Sequence, residues 1–206
     1  MKFGSKEPAI IFDLGGVLID WNPRYLYRKI FKDDEPGMEY FLKQVCSPEW
    51  NMRQDAGRPF KEAAEELITI YPEHKECIEA YFLRWPEMVA DAFWDSVGIL
   101  KALKDRDYSL HALSNWSAET FPLVSHRFEF LNWFETILLS GEEKLVKPDP
   151  EIFELMLKRI GRKAEQCIFI DDTKANITAA HELGFCAIPF VSPVQLSAEL
   201  SRMGLI

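Results

Sequence analysis

The chain has 206 residues, enough for one domain or for one core carrying an inserted subdomain, and 48% of them are hydrophobic, enough for a full core. Its net charge of −9 argues against nucleic acid or an anionic membrane as a main partner, because both need clustered Lys and Arg. The four cysteines (Cys46, Cys77, Cys167, Cys186) form no C-x-x-C pair, the opening Met-Lys-Phe-Gly-Ser-Lys-Glu-Pro lacks the apolar stretch of a signal peptide, and no run reaches transmembrane length; a reduced cytoplasmic protein is expected.

The first element is Ala9-Ile-Ile-Phe12, an apolar run that stops at Asp13 and is followed by Leu14-Gly15-Gly16. Such a run reads as a buried strand of a parallel sheet. The two glycines let the backbone turn tightly and present its own N–H and C=O groups. Ligands of open α/β sheets bind outside the carboxyl ends of strands, which places Asp13 where chemistry occurs.

From about Trp21 to about Asp91 helical signals dominate and strand candidates disappear. Pro23 follows Asn22, and Pro36 follows Asp34, each pair fitting an N-cap with Pro in the first turn. Phe60, Ala63, Ala64, Leu67 and Ile68 recur at helical spacing behind Gly57-Arg58-Pro59. A second helix is expected over roughly 73–89, with Ile78, Tyr81, Phe82 and Trp85 as its apolar stripe. The stretch Asp55-Ala-Gly-Arg-Pro59 reads as a loop that either reaches the active site or forms a surface turn, the surface turn being preferred. Trp21, Arg24, Arg53, Asp55 and Arg58 are this segment's polar candidates for reading a substrate.

After Asp95 helices and strands alternate to the end, the signature of βαβ units. Tyr108–Leu113 delivers Ser114-Asn115, Thr136–Leu139 delivers Ser140-Gly141 and then Lys147-Pro-Asp149-Pro150, and Cys167–Ile170 delivers Asp171-Asp172 with Asn176 beyond. The expected fold is α/β: a Rossmann-like parallel-sheet core formed by residues 1–20 and 92–206, with an inserted all-helical subdomain at 21–91. In parallel strands these side chains converge on one edge of the sheet.

That set suits phosphoryl transfer. A carboxylate nucleophile at Asp13 attacks phosphorus to give an aspartyl phosphate that water then hydrolyses. Two anions repel, and Asp13, the Gly15 carbonyl and Asp172 offer Mg²⁺ the oxygen donors it prefers, with Asp171 binding directly or through water. Ser114 can donate to a phosphate oxygen, helped by backbone N–H groups at the next helix start. Lys147 supplies a compact positive charge, and Asn176 is placed to bond Lys147 or the Asp pair. Each feature has a structural alternative: Ser114-Asn115 as a turn or cap, Lys147 as a solvated lysine, Asp171-Asp172 as a loop capping the next helix. Asp149-Pro150 fits an N-cap and first helical position, and His111 fits a packed strand residue.

In their joint order these segments resemble the haloacid dehalogenase superfamily over essentially all of the chain. The matching motifs are Phe12-Asp-Leu-Gly-Gly-Val17, Ser114-Asn115, Lys147-Pro-Asp-Pro150 and Asp171-Asp-Thr-Lys-Ala-Asn176. The resemblance implies a nucleophile at Asp13, a phosphate held by Ser114 and Lys147 with Asn115 and the Gly15-Gly16 turn beside it, and Mg²⁺ on Asp13 and Asp172. It further implies that Asn115 and Asn176 support the site, that the helical segment is a cap closing over a small phosphate ester, and that the protein is a phosphoric monoester hydrolase.

One departure matters. Most phosphatases of the superfamily carry a second Asp two residues after the nucleophile as general acid and base, and here that position is Gly15. The name-giving dehalogenases also lack it, since halide needs no proton. Their reaction runs without metal, however, and three stacked carboxylates are costly without a cation. A phosphatase is therefore the expected activity. A metal-free 2-haloacid dehalogenase and a weakly catalytic phosphate-binding regulator are the alternatives, and Trp116, next to Ser-Asn, is a candidate pocket wall.

Overall fold

The computed structural model describes residues 7–206. Strand β1 (Ala9–Phe12) leads through the Asp13–Val17 turn into the short strand β2 (Ile19–Trp21). Helices α1 (Arg24–Phe31), α2 (Glu35–Tyr40, prolonged by one wide turn over Phe41–Val45), α3 (Pro48–Asp55), α4 (Phe60–Ile70) and α5 (Lys75–Leu83) follow. The chain returns through β3 (Val89–Ala92). It continues as α6 (Trp94–Lys104), β4 (Leu110–Ser114), α7 (Phe121–Val124), β5 (Thr136–Leu139), α8 (Ser140–Glu143) and α9 (Pro150–Ile160). It closes with β6 (Cys167–Asp171), α10 (Lys174–Glu182), β7 (Cys186–Pro189) and α11 (Pro193–Arg202).

Five strands form one parallel sheet in the order β5-β4-β1-β6-β7. The chain builds outward from β1 on one side, then crosses back to β6 on the other. That reversal opens a crevice at the carboxyl end of β1, between β4 and β6. Alternation along β1 feeds two cores. Ile10 and Phe12 join a large cluster that runs on into Tyr27, Phe41, Trp50, Phe60, Tyr81 and Trp85, while Ala9 and Ile11 meet Leu113, Phe153, Phe169 and Phe185. The helical segment between β2 and β3 thus shares one apolar cluster with a face of the sheet.

Two details differ from the sequence reading. The helix expected over 73–89 ends at Leu83, and a tight turn over Trp85–Met88 replaces its last part. Pro86 explains this: it has no N–H for the helix ladder and disfavours a helical residue before it. A two-stranded antiparallel ribbon, β2 with β3, also straddles both expected subdomain boundaries, with Ile19 opposite Ala92 and Trp21 opposite Val89. Strands this short carry no readable alternation. The helix start at Asp34 agrees with its cap, Asp34 Oδ1 accepting from the Gly37 N–H at 3.0 Å, whereas α1 starts one residue later than expected, with Pro23 at the N-cap and Asn22 Oδ1 before it accepting from the Arg24 N–H at 3.0 Å. Among the described residues no helix is long and apolar enough to cross a membrane.

Candidate active site

The Asp13 backbone N–H donates to the Ile170 carbonyl at 2.9 Å, which pins the end of β1 against β6. Its carboxylate, largely buried, accepts from the Leu14 N–H at 2.7 Å. Lys147 arrives from the loop before α9 and is 1% exposed, so the solvated-lysine alternative falls. Asn115 fixes that loop: its amide accepts from the Lys147 N–H and donates to the Lys147 carbonyl, both at 2.8 Å. The ammonium then spends its three protons on Leu113 O at 2.9 Å, Asp171 Oδ2 at 2.6 Å and Asp13 Oδ1 at 3.0 Å.

Asp171 is saturated in turn. Asn176 Nδ2 lies 3.0 Å from both of its oxygens and the Thr173 N–H donates to Oδ1 at 2.8 Å. Asp172 is different, for among the described residues its carboxylate accepts a side-chain bond only from the Thr173 hydroxyl, at 3.3 Å. It lies over Gly16, where φ is +73°, a conformation that favours glycine, and where an added Cβ would come within 2.3 Å of Oδ2 and displace that carboxylate. One oxygen each from Asp13, Asp171 and Asp172 fall within 4.8 Å of one another. The turn's own backbone bonds run from the Leu18 and Ile19 N–H groups to the Leu14 carbonyl and from the Gly16 N–H to the Ile19 carbonyl, and none of the three uses the Gly15 carbonyl. Hard oxygen donors of this kind suit Mg²⁺ or Ca²⁺.

Electrostatics point the same way. Burial pushes Asp13 up to about 7, Lys147 pulls it down, and the charges of Asp171 and Asp172 add to the rise. Asp172 is raised too, by burial and then by Asp171. For Lys147 burial opposes the charge, but Asp13 and Asp171 outweigh it and hold the ammonium protonated. Three carboxylates against one ammonium leave the group anionic. Ser114 stands at the same sheet edge, buried at the end of β4, and among the described residues its hydroxyl makes no hydrogen bond to this group.

Beside the carboxylates lies a small, partly open cavity of about 80 Å³, lined by Gly15, Trp21, Asn51, Asp55, Trp85, Asn115 and Trp116. Trp21 and Trp85 stack with ring centres 5.7 Å apart. The indole N–H groups of Trp21, Trp85 and Trp116 and the Oδ1 of Asn51 are all buried without a hydrogen-bond partner. Buried polar groups are normally paired, and these four, all on residues that line the cavity, have no partner among the described residues.

Asp55 closes α3 and is buried, which corrects the preferred reading of its stretch as a surface turn. Its Oδ2 accepts from Asn51 Nδ2 at 2.9 Å, one helical turn earlier. Its carbonyl accepts from the Ser140 hydroxyl at 2.6 Å, and Ser140 Oγ accepts from the Trp116 N–H at 2.9 Å. Burial pushes the Asp55 carboxyl up to about 8; the Ser117 amide opposes this and the charge of Asp13 adds to it. Other polar candidates of the helical segment lie elsewhere: Arg24 pairs with Glu39, Arg58 with Glu66, and Arg53 is exposed. Asn51, Trp85 and Ser140 escaped the sequence reading of the site; the four-residue spacing of Asn51 and Asp55 on one helix face was the available signal.

A family model for haloacid dehalogenase-like hydrolases matches residues 8–184. The chain belongs to that family. Among the relatives of this haloacid dehalogenase-like hydrolase is the sesquiterpene phosphatase astK of Aspergillus oryzae, 26% identical over 200 residues, covering 95% of each chain. The fructose-1-phosphate phosphatase YqaB of Escherichia coli is 24% identical over 190 residues, covering 89% of this chain and 96% of its own. In structure, the hydrolase is similar to a family enzyme of Bacteroides thetaiotaomicron solved as a magnesium complex, with a TM-score of 0.68 at 23% identity over 89% of this chain and 93% of that one.

Proposed function

We propose that this hydrolase cleaves a small, hydroxyl-bearing phosphate monoester through a phosphorylated Asp13 in the presence of Mg²⁺. The observation that carries the reading is the anionic balance of the sheet edge, three clustered carboxylates against the single ammonium of Lys147. A phosphate dianion would be repelled from such a site unless a cation joined it. Bound to Asp13, the Gly15 carbonyl and Asp172, Mg²⁺ would supply that charge and polarise the phosphoryl group.

In this reading the free oxygen of Asp13 attacks phosphorus while Lys147, immobilised by Leu113 and Asp171, orients the nucleophile and attracts the phosphoryl oxygens. Asp171 has no free hydrogen-bonding capacity toward substrate, and it positions Lys147; Asn115 and Asn176 hold these two in place. Ser114 and the Gly15-Gly16 turn face the phosphate, and residues 21–91 act as the cap. The unpartnered indoles and Asn51 favour a leaving group that carries hydroxyls over a wholly apolar one, because an apolar group would leave the orphans buried and unsatisfied. The relatives, phosphatases of a sesquiterpene and of fructose 1-phosphate, support the reaction and span both substrate chemistries.

The test is hydrolysis of a panel of sugar, polyol and isoprenyl phosphates with and without Mg²⁺. Activity should vanish in EDTA and return with Mg²⁺, hydroxylated substrates should be preferred in kcat/KM, and Asp13→Asn should lower turnover by at least about 10³-fold by removing the nucleophile. Beryllium fluoride should be trapped on the Asp13 carboxylate. Halide release from a 2-haloacid in excess EDTA, with no phosphate release from any ester, would overturn the proposal in favour of a dehalogenase, the reading that the missing side chain at Gly15 favours.

A further inference from the structure

The reaction as proposed lacks a proton donor. An alkoxide expelled beside Asp13 is a poor leaving group unless an acid protonates it, and Gly15 has no side chain to do so. The position is not barred to a side chain, for a Cβ on Gly15 meets nothing within 4 Å and its φ lies outside the left-handed region. The proton donor is therefore to be sought elsewhere in the same cavity.

We propose that Asp55, from the helical segment, is the general acid and base that serves the leaving group, in place of the side chain absent at Gly15. This rests on the phosphatase reading above. Of the residues lining the cavity with Gly15 and Asn115, Asp55 alone carries a titratable side chain. Its position is set from two sides. The Asn51 amide holds Oδ2, and the Trp116–Ser140–Asp55 chain of hydrogen bonds ties its backbone to the residue next to Asn115 and to the start of α8. A second bond, from the Phe60 N–H to Glu119 Oε1 at 3.0 Å, fastens the start of α4 to the same side of the core. A proton donor must be held within hydrogen-bond reach of the leaving oxygen, and this double anchoring fixes the carboxyl at the wall of the leaving-group cavity. Burial also keeps the carboxyl protonated near neutral pH, the form an acid needs.

The step balances. An oxygen of Asp13 forms a bond to phosphorus, the ester P–O bond breaks with its electron pair on the alkyl oxygen, and that oxygen takes the Asp55 proton to leave as an alcohol. The Asp55 carboxylate then accepts a proton from the water that attacks the phosphorus of phospho-Asp13, returning both aspartates to their starting forms with release of inorganic phosphate.

The experiment compares the unmodified protein with Asp55→Asn on 4-nitrophenyl phosphate and on simple alkyl phosphates from trifluoroethyl to ethyl, none of which bears a hydroxyl. Asp55→Asn should lose about 10²–10⁴-fold in kcat on ethyl phosphate and under about tenfold on 4-nitrophenyl phosphate, with KM little changed, so that dependence on leaving-group pKa steepens. Retained aryl phosphatase activity also shows that the variant folds. Adding Gly15→Asp to Asp55→Asn should restore much of the alkyl rate, whereas Gly15→Asp alone should gain under about tenfold because an acid is already present. Equal losses on aryl and alkyl esters, or an unchanged slope, would overturn the role of Asp55 while the phosphatase reading stands. If Asp55→Asn fails to fold, Asp55→Ser decides: a steepened slope with the aryl rate intact supports the proposal, and an unchanged slope overturns it. An unmodified protein that hydrolyses none of these esters with Mg²⁺ would overturn the phosphatase reading itself.

Discussion

The sheet edge and the cavity beside it are built on opposite terms. At the edge the Lys147 ammonium has three acceptors for three protons, and both oxygens of Asp171 are bonded. In the cavity three indole N–H groups and one amide oxygen have no partner. The Lys147–Asp171 pair of the first region is fully bonded before substrate arrives, which suits chemistry that must not wait for reorganisation. On the proposed reading the second is completed by its ligand, which suits discrimination, because a site with buried unpaired groups rejects whatever fails to pair them.

The strongest way to break this contrast is Lys147→Met. It strands two buried carboxylates without their shared cation, and should cost about 3–5 kcal/mol in denaturant unfolding along with nearly all turnover. An unchanged stability would mean that Asp13 and Asp171 do not depend on the lysine.

Asp55→Asn probes the other region through stability. The folded state holds the Asp55 proton up to about 8 against an ordinary value of 3.8, so the acid's favourable contribution is complete below pH 4 and is lost as pH rises to about 8. Replacing the carboxyl by an amide should therefore stabilise the protein by on the order of a few kcal/mol at pH 8 and make little difference near pH 3.5. Thermal melts across that range check the sign, and a variant that is less stable at pH 8 would contradict it.

The smallest effect belongs to a single orphan. Trp85→Phe keeps the stack on Trp21 but deletes one N–H, and should raise KM for a hydroxylated substrate by about twofold to tenfold with kcat nearly unchanged. An equal effect on an isoprenyl ester would show that the ring's area, rather than its donor, is what the substrate uses.

The two regions were not equally legible. Asp13, Lys147, Asp171 and Asn176 stand at the ends of strands or just beyond them, and parallel strands bring their carboxyl ends to one edge whatever the packing details, so sequence order sufficed to assemble them. The cavity depends on how helices settle against the sheet. Nothing local in Asp55-Ala-Gly-Arg-Pro59 separates a surface turn from a buried helix end, and the decision rests with Ser140, 85 positions away, whose hydroxyl binds the Asp55 carbonyl. Trp85 read as a helical stripe residue, yet Pro86 ends the helix before it and turns it toward Trp21.

The hydrogen-bond chain from Trp116 through Ser140 to Asp55 has a kinetic consequence. Any motion that lifts α3 away from the core must break the Ser140–Asp55 bond and carry the Asp55 carboxyl out with it. With Asp55 as the proposed acid, door and proton source would be one moving part, and the rate of closure would set a ceiling on the first half of each turnover that no change at the sheet edge could raise.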